Sequence, residues 1–284
     1  MSFYEHSLFT DPEETDILWR YMDFTKFVSI LSTKSLFFPS ARILQKIDPW
    51  EGTYLKKELD FRLKEDLWMR RNPKLKYKYG ELNDNEILKE ITESWKHGFE
   101  NQIDINYISC WHYNSIESAA MWRLYLKSNE GICIQTDINS FKESFEKEQK
   151  SVFIGMVRYK DYGNDSYYTD YDMKKLRFAG FNMFLPFIHK RKIYEHEKEY
   201  RAIVPINDDS CKDKSGILIK VNLIKLIKRI ILAPSCPEWF EDLVRATIKK
   251  YDFDFEICNS IVDDKPYEYD LSPYQHKNKD LFSS

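Results

Sequence analysis

Along this chain the spacing of apolar positions changes period repeatedly, and each change marks an element. Residues 16–21 read as a short strand. In the FTKFVSILSTK stretch that follows, Phe24, Phe27, Val28 and Leu31 fall on one helical stripe, with Asp23 as N-cap. Residues 35–39 form a second strand, closed by Pro39. Between residues 51 and 71, Leu55, Leu59, Phe61, Leu63 and Leu67 recur at helical spacing among charges. A further helix, capped by Asn83 or Asp84, runs to about residue 99. The two make a helical insertion over about 51–101, too long for a plain connection. Strands follow at 103–113, 131–136 and 151–159, with short helices started by Ser115 and Asp137 between them. Residues 161–172 read as irregular and 174–193 as a helix. Strands at 217–221 and 229–232, a helix over 237–251 with proline at its first turn, and a strand at 253–258 complete the pattern. The first dozen residues read as a loose arm and 263–284 as a polar tail. Strands and helices mix without strict alternation. The expectation is a single α+β domain over 1–262.

Composition sharpens this picture. The chain has 284 residues, 43% hydrophobic and 16% aromatic, enough for a sizeable packed core. The net charge of −3 excludes a general nucleic-acid-binding surface, although a local groove remains open. Five scattered cysteines with no C-x-x-C give neither a disulfide framework nor a zinc site. No apolar run reaches 18 residues and the N-terminus lacks a signal-peptide pattern, so a soluble, cytoplasmic setting without membrane contact is expected.

The segment from Lys190 to Arg201, KRKIYEHEKEYR, stands out chemically. Read as a strand, it lines Glu195, Glu197, Glu199 and Arg201 on one face, with His196, Lys198 and Tyr200 on the other. Stacked carboxylates repel one another and raise a pKa, while Arg201 lowers it. The plain reading is a solvated face paired with Lys190 and Arg201. In the same spirit Asp48 and Glu51 read as a turn and a helix N-terminus, Arg20 as a strand-end residue paired to an acid such as Glu199, and Met121, Trp122 and Tyr125 as core.

Three separated motifs resemble one family. They are DPWEG at 48–52, SCWHYNSIESAAMWRLYLKSNEGICI at 109–134, and the Lys190, Tyr194, Glu197, Glu199, Arg201 series. Together they resemble the prokaryotic domain-of-unknown-function family DUF twenty-nine seventy-one over roughly residues 17–235. Ile47 stands where that family usually has Asn, and Tyr194 where Trp is commoner. More distantly the pattern is similar to the ADP-ribosyltransferase fold. That resemblance implies a largely antiparallel sheet core and NAD as substrate. It makes Glu199 the catalytic acid, with Glu197 orienting or deprotonating the acceptor. Arg20 would bind the pyrophosphate, Ser109 would answer to the middle-strand hydroxyl residue, although Ser-Thr-Ser is replaced by Ser-Cys-Trp, and Tyr21 or Trp122 would stack on nicotinamide.

The chemistry is coherent, because breaking the nicotinamide glycosidic bond builds positive charge on the ribose that a carboxylate stabilises. The implied function is an ADP-ribosyltransferase-like toxin or antiphage effector acting on a macromolecular acceptor, without a metal. Two other readings stay open. A metal-dependent nuclease would use Asp48, Glu51, Glu197 and Glu199 with Lys198. A non-enzymatic sensor or interaction module would use the helical insertion and the acidic strand as a recognition surface.

Overall fold

The structure, a computed structural model, describes residues 12–72, 83–167, 183–208 and 215–264. The expected N-terminal arm and nearly all of the expected tail lie outside the described residues, as do the parts of the 161–172 loop and the 174–193 helix over 168–182.

Local chemistry sets the first elements. β1 (Ile17–Asp23) ends where the Asp23 carboxylate accepts the Lys26 N–H at 2.9 Å and starts α1 (Phe24–Thr33). Lys34, left-handed at φ 48°, turns the chain into β2 (Ser35–Pro39), which is followed by the short α2 (Ala41–Leu44). The insertion consists of α3 (Lys56–Arg71) and α4 (Asp84–Ile105). The latter opens on a capping box between Asn83 and Glu86. Next come β3 (Asn106–Tyr113), α5 (Ala119–Tyr125), β4 (Gly131–Asp137), α6 (Ile138–Glu143), β5 (Phe153–Met156) and β6 (Arg158–Lys160). After the undescribed stretch come β7 (His189–Arg191), β8 (Glu199–Pro205), β9 (Gly216–Lys220), α7 (Leu223–Leu226), β10 (Arg229–Leu232), α8 (Glu238–Lys250) and β11 (Glu256–Asn259).

Seven strands form one sheet in the order β11-β10-β4-β1-β3-β8-β5, antiparallel except for the β10–β11 pair. β2 and β9 form an antiparallel ribbon, and β6 and β7 a parallel one. The fold is therefore α+β with a mixed, mostly antiparallel sheet.

The sheet has a fork. β1 pairs with β4 along its whole length, from Ile17↔Asp137 to Asp23↔Gly131. It meets β3 only at Leu18↔Tyr113 and Trp19↔His112. Beyond that point β3 is bridged instead to Ser40, just after β2, through Tyr107. Register and alternation assign the faces. Leu18, Met22, Trp111, Ile134 and Tyr200 share one face, which packs with Phe27, Leu31, Phe240 and Val244 into the main core. Trp19, Tyr21, His112, Glu199 and Arg201 belong to the other. There, smaller apolar clusters gather around Trp122 and around Phe187.

Three expected boundaries are corrected. Residues 183–193 are not helical. A 3-10 turn, Leu185–Phe187, is followed by β7, because Pro186 supplies no N–H and the surrounding apolar run is buried as a compact plug. The strand expected from Lys190 begins only at Glu199. Lys192–Glu197 form an exposed 3-10 turn, and Lys198 ends it in the left-handed region at φ 40°, where a strand cannot continue. The helix expected from Glu51 starts at Lys56. Gly52, at φ 73°, holds the preceding turn, and a Cβ there would stand 2.8 Å from the Phe187 ring.

Candidate functional site

The centre of the site is Arg201, 1% exposed on β8. Its Nη1 and Nη2 donate to the two Glu51 oxygens at 2.6 and 3.0 Å, and its Nε donates to Glu199 Oε2 at 2.5 Å. Nη1 also reaches the Phe187 carbonyl at 2.8 Å. The bidentate fork fits a carboxylate, and all these partners are buried. Burial opposes the Arg201 charge, but Glu199 and then Glu51 outweigh it, so its pKa rises well above the ordinary arginine value. Glu51 therefore corrects the sequence reading. It is a buried counter-ion in a turn, not a helix N-terminus, and it pairs with a residue 150 positions away.

Lys190 carries the network outward. Its Nζ donates to Glu199 Oε1 at 2.6 Å and to Glu197 Oε2. Burial pushes the Glu199 carboxyl up, yet Arg201 and Lys190 hold its pKa well below the usual carboxylate range. For Glu197, burial comes first, then hydrogen bonding to and repulsion from Glu199; together they push it up to about 8. One proton thus stays with the outer carboxyl while the inner one is ionised. The two glutamates do not share a strand face as the alternation suggested. The left-handed Lys198 folds Glu197 back, so both carboxyls meet at one lysine by a turn. Around them, Tyr159 accepts the Glu199 N–H at 2.8 Å, and a nitrogen of the His112 ring sits 2.7 Å from the Glu197 carbonyl. Asp48 pairs with Arg191 at 2.6 Å beside the rings of Trp50 and Tyr194.

Arg20 sits at the fork. Its Nη1 donates to Ser109 Oγ and its Nη2 to the Phe37 carbonyl of β2 at 3.3 Å, and its guanidinium lies 5.4 Å from the Trp111 ring centre. These contacts tie β1, β2 and β3 together where they part. Among the described residues no carboxylate pairs with Arg20, and burial pulls its pKa down. Glu199, the acid expected to pair with it, does not: alternation places Arg20 and Ser109 on one face of the sheet and Glu199 on the other. Cys110, on the Glu199 face, and Tyr125 are linked to both groups. Both act electrostatically on Arg20, and both feel Glu199.

Tyr21 and Trp122 are packed rather than open. The Tyr21 hydroxyl accepts the Ser118 N–H at 2.7 Å, and the Trp122 Nε1–H donates to Glu117 at 2.9 Å. Their rings meet edge to face at 4.9 Å. Neither offers a free face in this arrangement. The open aromatic is Tyr125, one helical turn beyond Trp122 and 45% exposed. Burial, and then Glu199, push its hydroxyl above the usual tyrosine range. The core expected for Met121, Trp122 and Tyr125 holds for the first two, whereas Tyr125, the last residue of its helix, is exposed.

Among the described residues no group of three or more His, Cys, Asp or Glu side chains is arranged to hold a metal ion. Asp48, Glu51, Glu197 and Glu199 are each engaged by Arg191, Arg201 or Lys190, whose charges oppose a cation. No described helix is long and apolar enough to cross a membrane. No family model, no curated protein and no solved structure matches this chain.

Proposed function

We propose that the chain is an ADP-ribosyltransferase-like enzyme that uses NAD as substrate, in a toxin or antiphage role, and that it belongs with the DUF twenty-nine seventy-one family its motifs resemble. The observation that carries this reading is Arg20. It is a cation drawn partly out of water at a fork in the sheet, without a carboxylate partner among the described residues, beside a serine hydroxyl. A desolvated arginine of this kind is stabilised by an anion, and guanidinium geometry suits the oxygens of a pyrophosphate.

The carboxylates supply the remaining chemistry. Glu199, ionised and held by Arg201, would stabilise the positive charge that develops on the ribose as the glycosidic bond breaks. A ribose hydroxyl would replace Lys190 at its Oε1. Nicotinamide leaves with the bonding electron pair, and the acceptor's lone pair forms the new bond to the ribose carbon. The proton lost by the acceptor passes to Glu197 once that group is ionised. Tyr125, whose hydroxyl acts electrostatically on Arg20 and feels Glu199, would span the two halves of the ligand.

Incubating the protein with NAD and measuring released nicotinamide tests this. Turnover is expected, with loss in both Arg20→Ala and Glu199→Ala. Absence of turnover with any protein or nucleic-acid acceptor, and an undiminished cellular effect of Glu199→Ala, would remove the reading.

A further inference from the structure

β6 and β7 run parallel, in register from Arg158↔His189 to Lys160↔Arg191. Their middle pair, Tyr159 and Lys190, turns inward to Glu199. Alternation then places Arg158, Lys160 and Arg191 on the opposite face of the ribbon. Neither Arg158 nor Lys160 forms an ion pair among the described residues. Lys192 follows directly and is exposed.

This basic face carries an aromatic platform. Trp50 is 46% exposed, with its ring centre 5.8 Å from the Arg191 guanidinium and its body braced edge-on against Tyr162 at 5.7 Å. Three buried polar atoms there have no hydrogen-bond partner among the described residues: Asp48 Oδ2, Arg191 Nε and His189 Nε2. Asp48 and His189 are both almost fully buried. The nearby acids are largely turned inward on their own loop. Asp161 accepts from Gly163 and Asn164, and Asp165 accepts the Asp161 N–H; Asp161 and Glu195 are the exposed acids beside this face among the described residues, and Asp161 also acts on Lys192.

We propose that this face binds a single-stranded polynucleotide, with phosphates on Arg158, Lys160 and Lys192 and a base stacked on Trp50. An exposed ring beside cations is the arrangement that holds unpaired bases, because every base has a π face while a duplex hides it. An acidic polypeptide would use the cations but has no use for the indole. The chain's overall charge is −3, so attraction must come from this local excess. On the transferase reading, the bound strand would be the ADP-ribose acceptor, delivered beside Glu197. The binding itself does not depend on that reading.

Fluorescence anisotropy of the full chain with labelled single-stranded DNA and single-stranded RNA tests the proposal, with duplex DNA and polyglutamate as competitors. One or both single strands should bind, and affinity should fall with salt at a log–log slope of about −2, as for about three phosphate contacts. Trp50→Ala should weaken binding at least about fivefold, and Trp50→Phe should restore most of it. Lys160→Glu should weaken binding and flatten the salt slope. The proposal is overturned if neither single strand binds, if duplex or polyglutamate binds as tightly, or if the Trp50 and Lys160 variants bind like wild type. Oligonucleotide binding without nicotinamide release would leave this surface standing and remove the transferase reading. Nicotinamide release without such binding would do the reverse.

Discussion

Two arginines on opposite faces of one sheet make the sharpest contrast in the molecule. Arg201 is saturated. Two glutamates and a backbone carbonyl take its donors, and burial strengthens each of these interactions because water does not compete. Arg20 has a serine hydroxyl, a carbonyl and a ring face, and no acid among the described residues. The first pattern belongs to a residue that holds the structure together. The second leaves an unmet demand for negative charge, which a ligand can satisfy.

Substitution at Arg201's partner should give the largest effect. Glu51→Ala leaves a buried guanidinium short of its bidentate partner and should destabilise the fold by about 3–5 kcal/mol in chemical denaturation. Arg20→Met should change stability by less than about 1 kcal/mol, since it removes a desolvated charge along with its neutral hydrogen bonds. The same variant should weaken NAD binding about 10- to 100-fold, the worth of charged hydrogen bonds to phosphate, as read by calorimetric titration. Equal stability losses in the two variants would erase the contrast.

The proton on Glu197 offers a finer test. Its folded-state pKa is about 8, above the ordinary value of 4.5. Between those two pH values the folded chain holds a proton that the unfolded chain has released, so this group's contribution to stability falls as pH rises. Glu199 shifts the other way, and its contribution is lost only as pH falls through the acidic range. Glu197→Gln should therefore melt progressively higher than wild type as pH goes from 4.5 to 8. A constant offset across that window would place the proton elsewhere. The smallest effect on NAD affinity is expected for Ser109→Ala, a modest loss because Arg20 loses one of its anchors, with stability lowered by about 1 kcal/mol.

The sequence announced some of this and hid the rest for identifiable reasons. Capping residues Asp23 and Asp137 were legible, and Asn83 as one of two candidates, because a short polar side chain before an apolar run needs only local contacts to act, whereas the cap expected at Ser115 falls at Ser118. The grouping of Glu197, Glu199, Lys190 and Arg201 was also legible, from closeness along the chain. How they meet was not, since the decisive step is a left-handed backbone at Lys198, a residue type with no preference for it. Glu51 was misread because its partner lies far along the chain and only the folded sheet brings the two together. Arg20 and Ser109 stand 89 positions apart in the sequence. Their contact follows from the fork, which no periodicity encodes.

The fork has a dynamic consequence as well. The halves of the main sheet are stitched by two residue pairs between β1 and β3, and those pairs join positions more than ninety residues apart. Closing so long a loop for so few ladder bonds makes this seam one of the later contacts to form and one of the easier to open. Deuterium uptake should therefore begin at the backbone amides flanking Trp19 and His112, well before the amides between β1 and β4 exchange. A molecule that inserts there would slow that exchange, so the seam would report occupancy without any catalytic readout.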